Sequence, residues 1–499
     1  MNNQLPNRAP AVSTTAGGAP VAAAHDNNSV EKSKIWQVIT ASSVGTVIEW
    51  YDFYIFGSLA AFIGPVLFGS TGKIEDTILG TLAVFGAGFV VRPFGALFFG
   101  RIGDMIGRKY TFLLTLLIMG GATFITGLIP SYEKIGLAAP IIVTILRLLQ
   151  GLALGGEYGG ATTYVAEHSP DNKRGYYTSF IQITATAGLF ISILVILSTR
   201  TLMGEEAFKE WGWRIPFLLS GLLVIASYYI RRKLHESPLF AKAKAEGKTS
   251  TNPLRESFVN PVNRRLVLIS LFGATMGQGV VWYTGQFYAY SFMQSTLKMD
   301  IMDAALVLCA ALLLATPLFV YFGSLSDRIG RKKIIMMGLL CGALFTIPIF
   351  YGLKQFAGPI TEVTAATVDA TGKAVPAVMK ALDPNVPAMI ALVFCLVVFV
   401  TMAYGPIAAY LVELFPTKVR YTSLSLPYHI GNGVFGGFVP LIATALTLRA
   451  AAGEGFIKEY SFLAGLVYPV AIALICWMIG MALMKDVRNV KLMDENQPQ

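Results

Sequence analysis

Gly100-Arg101-Ile102-Gly103-Asp104-Met105-Ile106-Gly107-Arg108-Lys109 is a charged, glycine-punctuated run set between two long apolar segments. A near copy, Gly323-Ser324-Leu325-Ser326-Asp327-Arg328-Ile329-Gly330-Arg331-Lys332, follows 223 residues later, taking Asp104 to Asp327. It too lies between two apolar segments. Glycines permit a tight turn and a close helix approach, the aspartate can accept hydrogen bonds at a neighbouring helix N-terminus, and the Arg-Lys pair grips the membrane rim. A chain that repeats such a turn between hydrophobic spans reads as a duplicated membrane bundle.

Composition agrees. Of the 499 residues 54% are hydrophobic and only 14% charged, where about 25% is usual for a soluble chain. Long apolar runs recur, each sufficient to cross roughly 30 Å of hydrocarbon. They run apolar without the alternation of a membrane barrel. The formal charge of +10 raises the question of a nucleic-acid partner. Most of the 39 Lys and Arg, however, fall in one set of loops and in the two tails. That bias is the positive-inside rule and places both termini in the cytoplasm. Cys309, Cys341, Cys395 and Cys476 lie in apolar spans without metal or disulfide spacing, and read as packing residues.

Read in order, residues 1–34 form a disordered cytoplasmic tail without the apolar core of a signal peptide. Six spans follow at about 35–68, 77–99, 110–130, 139–167, 175–199 and 213–231. A basic connector occupies 233–263 between two halves, 35–232 and 264–486. Six more spans lie at about 266–293, 304–322, 334–353, 388–412, 421–447 and 462–484, before a tail at 487–499. The expected fold is all-α and integral to the membrane, twelve helices in two pseudo-symmetric six-helix bundles.

A second internal match fixes where the halves differ. Glu167-His168-Ser169-Pro170 with Arg174 recurs as Glu413-Leu414-Phe415-Pro416 with Arg420, an offset of 246. The surplus over 223 falls between the eighth and tenth spans, so residues 354–387 read as an external insertion, a surface loop.

Charged groups inside spans cost a few kcal/mol each on insertion scales and are functional candidates by default. Glu49, Asp52, Arg92, Arg147, Glu157 and Arg214 qualify. Counting about 1.5 Å per residue puts Asp52 and Arg147 at matching height near the midplane. The expectation is that they pair across the first and fourth helices, protonation of the carboxylate freeing the arginine for an anion. Permanent pairing for packing alone is the competing account. Glu49 and Glu157 are further proton-carrying candidates. Arg92 reads as a snorkelling residue or a brace for the Asp104 loop, and Arg214 as an interfacial anchor. The second half carries a polar-aromatic set: Gln278, Trp282, Tyr283 and Gln286, then Tyr404, Tyr410, Tyr428, His429 and Asn432. Gln278, Trp282 and Gln286, four residues apart, are expected on one stripe, and amides in lipid need polar partners or water.

The loops at 100–109 and 323–332 resemble the signature of the major facilitator superfamily, and Arg147-x-x-Gln150-Gly151 its fourth-helix motif. Gly45-Thr46-Val47-Ile48-Glu49-Trp50-Tyr51-Asp52-Phe53, Gly155-Gly156-Glu157-Tyr158-Gly159-Gly160, Trp213-Arg214-Ile215-Pro216 and Glu236-Ser237-Pro238-x-Phe240 resemble its metabolite:proton symporter family. Met105 replaces a basic residue of the loop consensus, which Arg328 keeps. The resemblance implies a central cavity lined by helices one, four, seven and ten, and alternating access driven by the proton gradient. The expected function is proton-coupled uptake of a small organic acid (a mono-, di- or tricarboxylate, or a shikimate-like acid) through the bacterial inner membrane. A symporter of proline or betaine, or an exporter, stands beside it. The chain is not expected to be an enzyme, since no nucleophile–base set or metal cluster is visible. The expected substrate contacts are Arg147, Gln150, Tyr51, Gln278, Tyr283, Gln286 and Tyr404, with Asp52, Glu49 and Glu157 coupling the proton. The gating set is Gly100, Asp104, Gly107, Arg108, Asp327, Gly330 and Arg331. No cofactor beyond the coupling proton and no nucleic acid is expected; the partners are substrate and bilayer, and the protein is expected to be monomeric.

Overall fold

Each apolar run forms a helix, because in hydrocarbon every backbone N–H and C=O must be satisfied within its own segment. The computed structural model describes residues 32–69, 74–106, 108–232, 244–246, 250–364, 367–368, 374–375, 378–486 and 490. The tail before residue 32, Gly107, the Glu236-Ser237-Pro238 motif and most of the C-terminal tail lie outside the described residues.

The first half consists of α1 (Lys32–Ser58, continued after a bend by Ala60–Phe68), α2 (Ile74–Val90 with Arg92–Met105), α3 (Arg108–Leu128), α4 (Ala138–His168), α5 (Arg174–Met203) and α6 (Arg214–Arg232). The second consists of α7 (Pro261–Ser295), α8 (Ile301–Ile329), α9 (Arg331–Phe356), α10 (Val386–Leu414), α11 (Arg420–Ala451) and α12 (Ser461–Leu483). Among the described residues nine helices are long and apolar enough to cross a membrane alone. Two more spans are bent pairs, at 77° in α1 and at 57° ahead of α6, and Leu113–Leu128 in α3 is a shorter apolar helix. The connector is not wholly irregular: Pro253–Phe258 is helical, capped by the Asn252 side chain on the Arg255 amide.

The halves meet along α2 against α11 and α5 against α8. These contacts are equivalent under the duplication, which relates α2 to α8 and α5 to α11. Within the first half, α2 and α4 approach so closely that a Cβ on Gly151 would stand 1.9 Å from the Gly88 carbonyl oxygen. The glycines following Arg147 therefore let its helix lie against α2. Helices α7 and α11 each contain π turns, Leu271–Thr275 and Tyr283–Tyr288 in α7 and Ile430–Gly436 in α11. Such turns in long helices often mark functional positions.

The insertion differs from the expected loop. Strands β1 (Ile360–Thr364) and β4 (Val378–Ala381) pair antiparallel, Ile360 opposite Ala381, and β2 (Thr367–Val368) pairs with β3 (Ala374–Val375). Ile360, Thr361, Val363 and Thr364 are β-branched, a strand preference that the polarity of the segment obscured. The hairpin is tied to the α7–α8 connection: the Ala381 amide donates to the Lys298 carbonyl at 2.9 Å and Lys380 pairs with Asp300 at 3.2 Å.

Candidate functional site

The Arg147 side chain is completely buried. Its Nη1 donates to the Phe53 carbonyl of α1 at 3.2 Å and to Gln150 Oε1 one turn along at 2.6 Å. Gln150 in turn donates to Thr123 on α3 at 2.6 Å. The amide is thus a positioning group for the guanidinium. The remaining nitrogens, Nε and Nη2, have no hydrogen-bond partner among the described residues. The guanidinium sits over the rings of Phe53, Phe56 and Phe85, at 4.2, 4.7 and 5.1 Å.

Asp52 does not pair with Arg147. One residue of helix turns the side chain by about 100°, and Asp52 points between α3 and α6. It stands 3.4 Å from where a Cβ on Gly120 would be, and Ser220 faces it. It is fully buried, and neither oxygen accepts a hydrogen bond at 3.5 Å or less among the described residues. Counting residues along a span does not give the direction a side chain takes around it. Glu157 accepts from Thr46 on α1 at 3.0 Å, and Glu49 is buried beside Trp50. Tyr51 donates to the Pro216 carbonyl of α6 at 2.8 Å, which turns it toward the helix bundle of its own half.

Arg92 is likewise 0% exposed and does not snorkel. It lies twelve residues, roughly 18 Å of rise, from Asp104, too deep to brace that loop. Its guanidinium is enclosed by Phe89, Phe53 and Trp50 at 4.4, 4.5 and 5.2 Å. None of its three nitrogens has a hydrogen-bond partner at 3.5 Å or less among the described residues, the Tyr283 hydroxyl facing it from farther off. A buried donor left unmade costs about 1–3 kcal/mol, so this arrangement implies a ligand more readily than a packing role.

From the second half, Tyr283 on α7 faces both arginines, and Trp282 stacks on Tyr54 at 5.5 Å. Phe287 stacks on Phe85 at 5.2 Å. Gln286 accepts from Thr186 of α5 at 3.2 Å across the interface, whereas Gln278 exchanges two hydrogen bonds with Asn432 of α11 at 2.8 and 3.1 Å. The expected stripe is therefore split: Gln278, Trp282 and Gln286 reach three different helices. Nearer the basic end, the rings of Tyr158 (α4) and Tyr428 (α11) stack at 3.4 Å and 3°, and the Tyr404 and Tyr428 hydroxyls meet at 2.6 Å. His429 lies against both stacked rings, and its two nitrogens have no partner among the described residues. Sequence reasoning gave Arg92 a place at the rim and missed the Tyr158–Tyr428 stack. The depth of Arg92 was the available signal for the first, and no local signal announces the second.

At the basic end the two loop copies reach across the interface. Asp104 accepts from the Thr422 amide at 3.1 Å and its hydroxyl at 2.7 Å. Asp327 accepts from the Gly175 and Tyr176 amides, both at 2.9 Å. Each aspartate thus caps the first turn of a helix in the other half, where donors are unsatisfied and the dipole favours an anion. Arg331 pairs with Asp327 at 2.6 Å and with Glu413 at 3.1 Å. Gly100 packs on Thr422, where a Cβ would lie 3.4 Å from its Cα. Gly330 has φ of 105°, in the left-handed region where a side chain would be strained, beside Asp486. The Arg108 side chain lies outside the described set.

Comparison with known proteins identifies the architecture. Residues 38–262 match the family described as sugar (and other) transporter. The chain is 31% identical over 418 residues to the alpha-ketoglutarate permease of Escherichia coli K12, covering 83% of this chain and 88% of that one. It is 32% identical over 425 residues to the proline/betaine transporter of Salmonella typhimurium LT2, covering 84% and 79%. The inner membrane metabolite transport protein YhjE of E. coli K12 is also 32% identical over 425 residues, covering 84% and 89%. In fold the chain is similar to the proton:xylose symporter XylE bound to 6-bromo-6-deoxy-D-glucose, with TM-score 0.63 at 16% identity over 92% of this chain and 98% of that one. The chain is a multi-pass membrane transporter rather than an enzyme, and it belongs to the major facilitator superfamily, among its metabolite permeases.

Proposed function

We propose that this transporter takes up a small organic acid together with protons across the bacterial inner membrane, with both termini in the cytoplasm. The observation that carries the reading is a set of unpartnered donors: Nε and Nη2 of Arg147, the Tyr283 hydroxyl that faces it, and Nε2 of Gln286 on the same helix as Tyr283. All can donate, and a carboxylate is acceptor-only, with room for about four hydrogen bonds. An amine or a sugar fits such a set less well. In this reading Arg147 binds the anion, Tyr283, Gln286 and Tyr404 line its site, and Gln150 holds the guanidinium.

Asp52 is the first candidate for carrying the proton, being buried, close to the site along α1 and without an ion pair among the described residues. Protonation would let it move through the membrane without a counter-ion. The cross-interface bonds at the basic end belong to the state closed toward the cytoplasm; breaking them and remaking contacts at the other end gives alternating access. The name of one relative, a permease for alpha-ketoglutarate, supports a carboxylate, and that of another supports a zwitterion such as betaine. Uptake of labelled carboxylates into proteoliposomes, with and without an imposed pH gradient, tests the reading. Acid outside should drive accumulation of at least one carboxylate. Betaine uptake with no carboxylate uptake overturns it.

A further inference from the structure

Five arginines are buried among the described residues: Arg92, Arg147, Arg174, Arg331 and Arg420. Three are paired with acids, Arg174 and Arg331 with Glu413 and Arg420 with Glu167. They show how this fold handles a buried guanidinium whose role is to hold helices together. Arg92 and Arg147 are different, since neither forms an ion pair among the described residues and together they leave five of six nitrogens without a hydrogen-bond partner at 3.5 Å or less among them.

The two exceptions are also neighbours. The Phe53 ring lies 4.5 Å from the Arg92 guanidinium carbon and 4.2 Å from that of Arg147, so the two carbons stand no farther apart than about 8.7 Å. Like charges at that separation, away from water, repel one another unless anionic charge comes between them. The aromatic faces offset part of the desolvation of each cation but supply no lone pairs to its N–H groups. Each half of the molecule takes part. Arg92 belongs to α2, yet its stem rests on α11, where a Cβ on Gly433 would be 3.4 Å from Arg92 Cδ. Tyr283 of α7 faces both guanidiniums.

We infer that Arg92 and Arg147 form one bipartite anion site, and that the substrate carries two separated carboxylates, one for each guanidinium. The inference rests on the organic-acid reading and narrows it. One carboxylate satisfies one guanidinium through the bidentate geometry that arginine favours and leaves the other bare. A short dicarboxylate answers both and, through Arg92, touches the α2–α11 seam along which the halves separate. Arg92 is on this account a substrate-binding and specificity-determining residue.

The test is binding to the purified full-length protein by chain-length-matched pairs, succinate against butyrate and glutarate against valerate. In the unaltered protein at least one dicarboxylate should bind about tenfold or more tightly than its monocarboxylate, the effect of one additional charged hydrogen-bonding group. Arg92→Gln should bring that ratio close to one while keeping monocarboxylate binding, and Arg92→Lys should restore part of it. Monocarboxylates binding as tightly as dicarboxylates, or a ratio untouched by Arg92→Gln, overturns the inference and leaves the organic-acid reading standing. Failure of every mono- and dicarboxylate to bind removes both. If Arg92→Gln does not yield folded protein, the ratio in the unaltered protein decides alone.

Discussion

Arg174 and Glu413 stand in opposite halves of the chain and meet at 2.7 Å with neither side chain exposed. Glu413 is shared with Arg331 of its own half at 3.1 Å, and the duplication-related pair, Arg420 with Glu167, closes at 3.1 Å. Glu413→Gln would leave two buried guanidiniums around a neutral amide. Breaking such a pair by removing one partner costs about 3–5 kcal/mol, and the cost falls on the closed state, where the cross-half bond exists. The variant should therefore open at the basic end, the cytoplasmic side in the orientation proposed above. Modification of Thr422→Cys by a membrane-impermeant thiol reagent from the cytoplasmic side should rise severalfold in the Glu413→Gln background. Equal modification in both backgrounds would show that the pair does not latch the gate.

Arg147→Lys keeps the charge and loses the planar fork that holds the Phe53 carbonyl, Gln150 and a carboxylate together. Transport should fall by at least about tenfold, chiefly through KM, because a point charge cannot reproduce bidentate geometry. Normal kinetics with normal proton coupling would remove Arg147 from the site.

Asp52→Asn should abolish accumulation driven by a pH gradient while preserving exchange of internal for external substrate. Exchange needs the binding site and the rocking motion but no net proton movement. Glu157→Gln, examined in parallel, should leave gradient-driven uptake largely intact, since Glu157 is held by Thr46. The reverse pattern would transfer the proton-carrying role to Glu157.

The hairpin between α9 and α10 supplies a pH prediction. Burial acts to raise the Asp300 carboxyl, but the Met302 amide and the Lys380 ammonium outweigh it and hold the group below its ordinary range. A depressed carboxyl contributes docking stability that is fully present above the ordinary carboxylate range and is lost as pH falls through the lowered value. For a partly exposed pair the loss is about 0.2–1 kcal/mol. Exchange of the Ala381 amide hydrogen, corrected for its intrinsic pH dependence, should quicken below that range in the unaltered protein and show no such step in Asp300→Asn. An identical step in both would assign it to another group.

The duplication made the architecture legible. Two copies of a ten-residue loop, two copies of a Glu-x-x-Pro run and the charge asymmetry of the loops were enough to place twelve helices and to locate the insertion. Levels along a helix are countable from the sequence, at about 1.5 Å per residue. Directions around a helix are not. Asp52 and Arg147 share a level, but the carboxylate looks toward α3 and α6 while the carbonyl of the next residue, Phe53, faces the arginine. The π turn at Tyr283–Tyr288 separates residues that regular spacing would align. Arg92 was misjudged because a span-end arginine normally reaches water; here aromatic rings from α1 and α2 close over it.

The bonds at the basic end have one more implication. Asp104 reaches the start of α11 as Asp327 reaches the start of α5, and Arg420 meets Glu167 as Arg174 meets Glu413. Such an interface is isologous, like that of a twofold dimer. Each half therefore carries both the plug and the socket of the same joint. Asp104 and Glu167 are the plug of the first half, and Tyr176 and Arg174 its socket. The fused chain keeps, within one molecule, the geometry of a homodimer.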